Sequence, residues 1–328
     1  MPNNGLTNEE LVEYLELPDS IIEDLKTAQG SQFQAVANQF LEPLFNKVIY
    51  QSVEQMDFSN PFKKYDSYPV QYGDTIENIF IETPKGYKFN KDATDPFTKV
   101  KPSVKTLYAT INYEMQYETT IEDSLLRRAV LNRYGFMNLI DGILRSLEQA
   151  ATNDEYFATI GMLNNESIFA EGFQEVKRGG TNEETAKIIT EKVVDTMSSF
   201  TLPMTSNNKL NVLHTTRDSD VLLVIKYKLL NMINLDYLSG VYNLSKVDLV
   251  KNIIVVDSFQ VADEDGSLQG EDIDFMVIDT RGFDNHVALQ DGGMIYNPKG
   301  KYTNHFYNLW KIISFKYFYN ARAFKLVD

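Results

Sequence analysis

Residues 104–118 carry a strict two-residue alternation. Leu107, Ala109, Ile111, Tyr113, Met115 and Tyr117 take one parity, and Thr106, Tyr108, Thr110, Asn112, Glu114, Gln116 and Glu118 take the other. Strand side chains point alternately to opposite faces, so this pattern predicts one half-buried strand. At ~3.3 Å per residue it would span roughly 50 Å, well beyond an ordinary strand. Thr119-Thr-Ile-Glu122 then reads as a capping box opening a helix over 121–132, with Gly135 as a break. Residues 136–163 contain no proline, and Phe136, Leu139, Ile140, Ile143, Leu144, Leu147, Ala150, Ala151 and Phe157 recur at helical spacing. At ~1.5 Å per residue this helix is a rod of about 42 Å. A long strand followed by a long helix predicts an elongated subunit.

The flanking segments differ in character. Leu11, Leu15, Ile22 and Leu25 mark a short amphipathic stretch within 6–30, interrupted by Pro18. Phe33, Val36, Phe40, Leu44 and Val48 predict a second helix over 32–56, ended or kinked by Pro43. Residues 61–103 are punctuated by Pro61, Pro69, Pro84, Pro96 and Pro102. Between those turns lies a strand-like run, Thr75-Ile-Glu-Asn-Ile-Phe-Ile-Glu82, so the segment reads as an extended excursion with its own hairpin. Excursions this long serve contacts or function.

After a polar loop or hairpin at 164–182, Thr181-Asn-Glu-Glu184 is a second capping box, opening a helix through Met197. Leu210–His214 reads as a short strand and 218–233 as a helix. Residues 252–256 and 274–279 read as strands, and Asp291-Gly-Gly293 as a tight turn. Strands alternating with helices predict a small α/β domain over about 183–300. Residues 305–327 close the chain as strand. Their two parities are both largely apolar from 306 to 319, which predicts burial on both faces and pairing with the early long strand.

Composition narrows the function. Hydrophobic residues are 43% and charged residues 23% of the chain, which excludes wholesale disorder. With 31 basic and 46 acidic residues the net charge is −15, the wrong sign for a protein that grips nucleic-acid phosphates. There is no cysteine, so thiol catalysis, thiolate metal sites and disulfides are excluded. The first thirty residues are polar and acidic, so no signal peptide is expected, and no apolar run approaches the ~18 residues of a membrane span. Charge is also unevenly placed. Residues 1–60 hold ten acids against two bases, whereas 299–328 hold six bases against one acid. Opposite-sign ends favour association between subunits or between termini.

No constellation of catalytic residues emerges. His214, His286 and His305 lack metal-ligand spacing, and His214, at a strand end, reads as structural. Phosphate-loop, nucleophile-elbow, zinc-protease and dinucleotide motifs are absent. Gly179-Gly180-Thr181 before a helix could hold an anion, but a capped loop is the simpler reading. Asp263-Glu-Asp-Gly-Ser267 resembles the start of a calcium loop; with Asp274 where a glutamate should stand, it reads as a polar hairpin turn. Glu122, Asp123, Glu183 and Glu184 sit at predicted helix starts, where they complement the dipole. Catalytic, cofactor-binding and metal-binding residues are therefore all assigned as none, and the chain is not expected to be an enzyme.

The serial order is an arm, a long excursion, a long strand, a long helix, an α/β domain and a returning strand. It resembles the major capsid proteins of tailed bacteriophages, with the Hong Kong 97-like fold. Ser124-Leu-Leu-Arg-Arg-Ala129 and Phe136–Leu147 are similar to the short and spine helices of that fold, and Val212–Asp218 to its strand-to-helix step. Lys251–Phe259 and Phe275–Phe283 resemble axial-domain strands, and Trp310–Phe318 with Ala321–Phe324 the strand returning to the peripheral domain.

The resemblance implies an α+β chain with an N-terminal arm (1–60), an extended loop (61–103) and a peripheral domain (104–182) with spine helix 136–163. An axial domain (183–302) and a C-terminal strand (303–328) returning to the peripheral domain complete it. It implies self-assembly into pentamers and hexamers of an icosahedral shell, a portal protein and a scaffolding protein as partners, and packaged double-stranded DNA bound without sequence specificity. No cofactor and no membrane are implied. The expected location is the virion, assembled in the host cytoplasm. Asn, Lys, Ile and Tyr richness looks like an AT-rich genome, and within the resemblance that flavour and the small size imply a small short-tailed phage of a low-GC Gram-positive host. Competing readings are an encapsulin-type nanocompartment shell, an α/β enzyme with an appended domain, and a tail or tube protein.

Overall fold

The computed structural model describes residues 58–71, 73–86, 88, 99–122, 135–232, 252–263 and 265–328, plus five positions between 24 and 39. Those five, Asp24, Thr27, Gln32, Val36 and Gln39, are helical. The rest of the amphipathic stretch expected within 6–30 and of the helix expected at 32–56, most of the helix expected at 121–132, and residues 233–251 lie outside the described residues.

In chain order the elements are β1 (Ile76–Ile81), β2 (Val104–Ala109), β3 (Tyr113–Glu122), α1 (Gly135–Leu163), β4 (Phe173–Lys177), α2 (Asn182–Thr201), β5 (Val221–Lys226) and the single-turn α3 (Tyr227–Leu230). They continue with β6 (Ile253–Val256), β7 (Val261–Ala262), β8 (Leu268–Gln269), β9 (Phe275–Asp279), β10 (Phe283–Asn297), β11 (Tyr302–Phe315) and β12 (Ala321–Val327). The chain divides into two compact units. One holds 1–60, 112–156 and 287–311; the other holds 61–111, 157–286 and 312–328.

The first unit contains the three-stranded sheet β10-β11-β3 and most of α1. β11 pairs antiparallel with β3, from Tyr302 opposite Glu122 to Lys311 opposite Tyr113. Its odd-numbered face, Thr303, His305, Tyr307, Leu309 and Lys311, is buried. From α1, Leu147, Glu148, Ala151, Thr152 and Glu155 are buried at helical spacing. The interior is therefore part apolar and part polar: Lys311 Nζ sits 2.5 Å from Glu155 Oε1, and the Tyr117 hydroxyl donates to Asp154 Oδ2 at 3.0 Å. Burial pushes Tyr113 up to about 12 and Tyr117 higher still, and drives His305 down to about 4.

The second unit is built on a five-stranded sheet in the order β4-β12-β9-β5-β6. β4 with β12 and β5 with β6 are parallel, while β9 runs antiparallel to both its neighbours. Four of the five strands therefore share one direction. Ile189, Val193, Met197 and Phe200 of α2 follow the 3.6-residue period and share one core cluster with Val221, Leu223 and Ile225 of β5 and Phe275 and Val277 of β9. α2 begins as its capping box predicts: Thr181 Oγ1 accepts the Glu184 amide at 3.2 Å.

Several expectations are corrected. The single strand at 104–118 is two strands, because the partner changes: β2 pairs with β1 and β3 pairs with β11. Thr119–Glu122 end β3 instead of capping a helix; two threonines and an isoleucine suit a pleated edge opposite Tyr302–His305. Leu210–His214 is loop, with Asn211 at φ 52° and only an isolated bridge from His214 to Met204. The helix expected over 218–233 is instead a 3-10 turn, the wholly buried β5 and one helical turn. A run apolar on both faces fits a buried strand as well as a helix. Residues 164–182 are not only loop or hairpin, since they include β4. Gly292 and Gly293 lie inside β10, and the turn comes at 298–301, where Asn297 Oδ1 accepts the Lys299 and Gly300 amides at 3.0 Å. The closing strand is also two. β11 pairs with β3, but β12 inserts between β4 and β9 in the five-stranded sheet.

Candidate assembly surfaces

The excursion at 61–103 is rooted on the second unit by a strap of aromatic and polar contacts. Phe62 is buried against Phe283, and the Tyr65 ring stacks on the same Phe283 at 4.8 Å. The Ser67 amide donates to Asn285 O at 2.8 Å, and His286 Nδ1 lies 2.8 Å from Tyr68 O. Beyond the strap, β1 and β2 form an antiparallel hairpin from Ile76 opposite Ala109 to Ile81 opposite Val104. Its inner face carries Asn78 and Phe80. Asn78 Nδ2 donates to Asp284 Oδ2 at 2.5 Å, and the Phe80 ring lies 5.4 Å from Phe318 and 6.3 Å from His214. Asp284 is a buried hub that also meets His286 Nε2 at 3.1 Å and Lys316 Nζ at 3.3 Å.

The outer face of the hairpin is exposed and mostly apolar, with Glu77 and Thr106 among its side chains. Ile79, Ile81, Val104 and Tyr108 are 55%, 67%, 47% and 69% exposed, and Val100 beyond them is 68% exposed. Exposed apolar clusters of this kind mark contact surfaces. Strand alternation in 75–82 made the hairpin visible in the sequence. The anchors Asn78, Phe80 and Asp284 were not, because nothing local says which strand face meets the body.

A second hub adjoins the Phe80 anchor through His214. Asp279 is fully buried; its Oδ2 accepts from the Thr216 hydroxyl at 2.7 Å and from an Arg281 guanidinium nitrogen at 2.6 Å, with His214 Nε2 at 3.4 Å. Burial works to raise the Asp279 carboxyl, but the bonds from His214, Arg281 and Thr216 outweigh it and hold the group below its usual range. The same carboxylate raises Arg281, which lies over the Tyr319 ring at 5.3 Å. These contacts tie the loops of His214, Thr216 and Arg281 to Asp279.

The remaining motifs resolve in the same way. The amides of Gly179 and Gly180 are taken by Thr185 Oγ1 and Glu184 Oε2, so the chain's own side chains hold the positions an anion would use. Between β7 and β8 the Asp263 amide donates to Ser267 O at 2.8 Å, with Gly266 at φ 79° and Asp265 Oδ1 accepting the Ser267 amide. No cluster of metal-ligating side chains occurs among the described residues. One open cleft of about 510 Å³ lies at the carboxyl ends of the co-directional strands. There Lys226 is neutralised by Asp272 at 2.5 Å and Asp274 at 3.1 Å. Among the described helices none is long and apolar enough to cross a membrane.

This architecture has known counterparts. The capsid protein of Staphylococcus phage Andhra superposes with a TM-score of 0.67 over 84% of this chain and 86% of that one, at 14% identity. The fold is thus the Hong Kong 97-like capsid fold. The major capsid protein of Bacillus phage PZA is 27% identical over 298 residues, covering 89% of this chain and 64% of the relative. That of Streptococcus phage Cp-1 is 24% identical over 308 residues, covering 90% and 84%. The chain therefore spans a little under two thirds of the length of the Bacillus relative. Both relatives come from phages of Gram-positive hosts, in line with the low-GC composition. The family model described as "Phi29-like phage major capsid protein" matches residues 20–325. That is a family of structural proteins, not of enzymes, and over nearly its whole length this chain belongs to the Phi29-like phage major capsid protein family.

Proposed function

We propose that the chain is the repeating tile of an icosahedral phage head, associating as pentamers and hexamers around packaged double-stranded DNA. The observation that carries this reading is the hairpin with its inner face anchored through Asn78 and Phe80 and its outer face mostly apolar and exposed. Burying four such side chains on a neighbour contributes on the order of 1.5–3 kcal/mol each at full burial. Repeated around a closed ring, a modest contact becomes a stable assembly.

In this reading 61–103 is the extended loop, α1 the spine helix of the peripheral domain, and the five-stranded sheet the axial domain that gathers around local symmetry axes. Residues 1–60 act as the arm. The acidic balance keeps the shell wall from gripping the genome, so packaged DNA is neutralised by mobile counterions. Portal and scaffolding proteins complete assembly, in the host cytoplasm, of a short-tailed virion.

Expression alone and beside its neighbouring genes, followed by electron microscopy, tests the proposal. Closed shells under either condition support it. Only monomers or dimers under both would refute it.

A further inference from the structure

Two buried titratable groups stand side by side at the root of the excursion. Asp284 and His286 lie two residues apart on β10, and each is 2% exposed. His286 Nδ1 is 2.8 Å from Tyr68 O, and His286 Nε2 is 3.1 Å from Asp284 Oδ1. A carbonyl oxygen only accepts, so Nδ1 carries a proton. Asp284 is held as an acceptor too: Lys316 Nζ lies 3.3 Å from Oδ1, and Asn78 Nδ2 donates to Oδ2 at 2.5 Å. Turning the ring over would set carbon against both oxygens. Both ring nitrogens therefore face acceptors. The pair needs one proton more than a neutral histidine beside an ionised aspartate. Two groups this close hold such a proton as one coupled unit, and the Lys316 ammonium favours keeping it on the imidazole.

The pair also carries two attachments of the excursion. Tyr68 fastens the strap through His286, with its ring edge-on to the imidazole at 4.8 Å. Asn78 fastens β1 through Asp284. The strap brings Asp66, whose backbone bridges to Asn285, to the same place. The chain after β11 brings Lys316 and also Tyr319, whose hydroxyl is raised by burial and further by the Asp284 charge.

We propose that His286 and Asp284 form a proton-dependent latch for the strap and hairpin, closed while the pair holds its extra proton and released when rising pH removes it. On release the Nε2 lone pair faces the Asp284 carboxylate in the interior, where little water screens them. The carboxylate keeps Lys316 and gives up His286, so Tyr68 and Asn78 lose a fixed seat. Phe62 and Tyr65 stay packed on Phe283, so opening starts beyond Tyr65. The latch belongs to the single subunit, and its success or failure is separate from that of the shell reading.

Hydrogen exchange of the full chain, normalised to the intrinsic rate at each pH, tests it between about pH 6 and about pH 9. Protection at Ser67 and through β1 and β2 should fall about tenfold across that range, with β5 and β9 unchanged. His286→Gln should hold the excursion at its high-pH protection throughout. Asp284→Asn offers an amide to a neutral Nε2, so its protection should not vary with pH.

The protonation state is read directly by nitrogen-15 spectra of the three histidine rings, assigned with the His286→Gln variant. His286 should be doubly protonated at about pH 6. A neutral His286 ring at that pH, flat protection of the excursion in the parent chain, or Asp284→Asn following the parent's pH profile overturns the proposal. Equal loss of protection in the five-stranded sheet would assign the effect to global unfolding and also overturn it.

Discussion

Lys311 Nζ lies 2.5 Å from Glu155 Oε1, joining β11 to the spine helix, with side-chain exposures of 1% and 8%. A cation this deep is tolerated only because the carboxylate accompanies it. Lys311→Met should therefore destabilise the protein by about 3–5 kcal/mol, since it strands Glu155 in the interior. The pair Lys311→Met/Glu155→Leu should recover most of that loss. Chemical denaturation of the two singles and the double measures the coupling; additive effects would show that the pair is independent.

Asp279 ties together the loops of Thr216, Arg281 and His214. Asp279→Ala removes the acceptor for all of them and should cost about 3–5 kcal/mol. The carboxyl is held below its ordinary value in the folded state, so its contribution is present above the unfolded pKa of about 3.9 and fades as pH falls through the folded value. The variant should consequently differ most from the parent at neutral pH, and less near pH 3, in guanidinium titrations.

His305 tests the same direction of proton linkage in a higher pH window. It is buried on β11 and burial lowers it to about 4. The unfolded chain, near 6.5, takes up the proton first, so stability is full above pH 6.5 and declines as pH falls toward 4. The loss should reach about 3 kcal/mol at the lower limit. His305→Phe should flatten stability between pH 6.5 and 4; an unchanged slope would assign the loss to other groups.

Phe80 anchors the hairpin to Phe318 and His214. Phe80→Ala should cost about 1–2 kcal/mol locally. Hydrogen exchange at the β1 and β2 amides should speed up roughly tenfold while the five-stranded sheet keeps its protection. Uniform acceleration in both places would mean that the hairpin is part of the global folding unit.

The sequence carried the order of elements better than their ends. The spine helix was legible because 136–163 combines helical spacing with the absence of proline, and α2 because its cap residues bond as their chemistry predicts. Alternation through 104–118 was equally clear, yet parity says nothing about partners. It continues across 110–112, where the chain leaves β1 and takes up β11. β5 was missed because five buried residues in a row have no period to read. The placement of β12 in the five-stranded sheet, and the hubs at Asp279 and Asp284, depend on contacts across long stretches of chain, which no local pattern encodes.

The central claim is that copies of this chain close into a shell, with the exposed face of the β1–β2 hairpin as a contact surface. Cryo-electron microscopy of the assembled protein tests it most directly. The account predicts closed particles in which five-stranded sheets surround five-fold and six-fold positions and the outer hairpin faces are buried against adjacent copies. Shells whose outer hairpin faces stay in solvent, or a preparation holding nothing larger than a dimer, would contradict it.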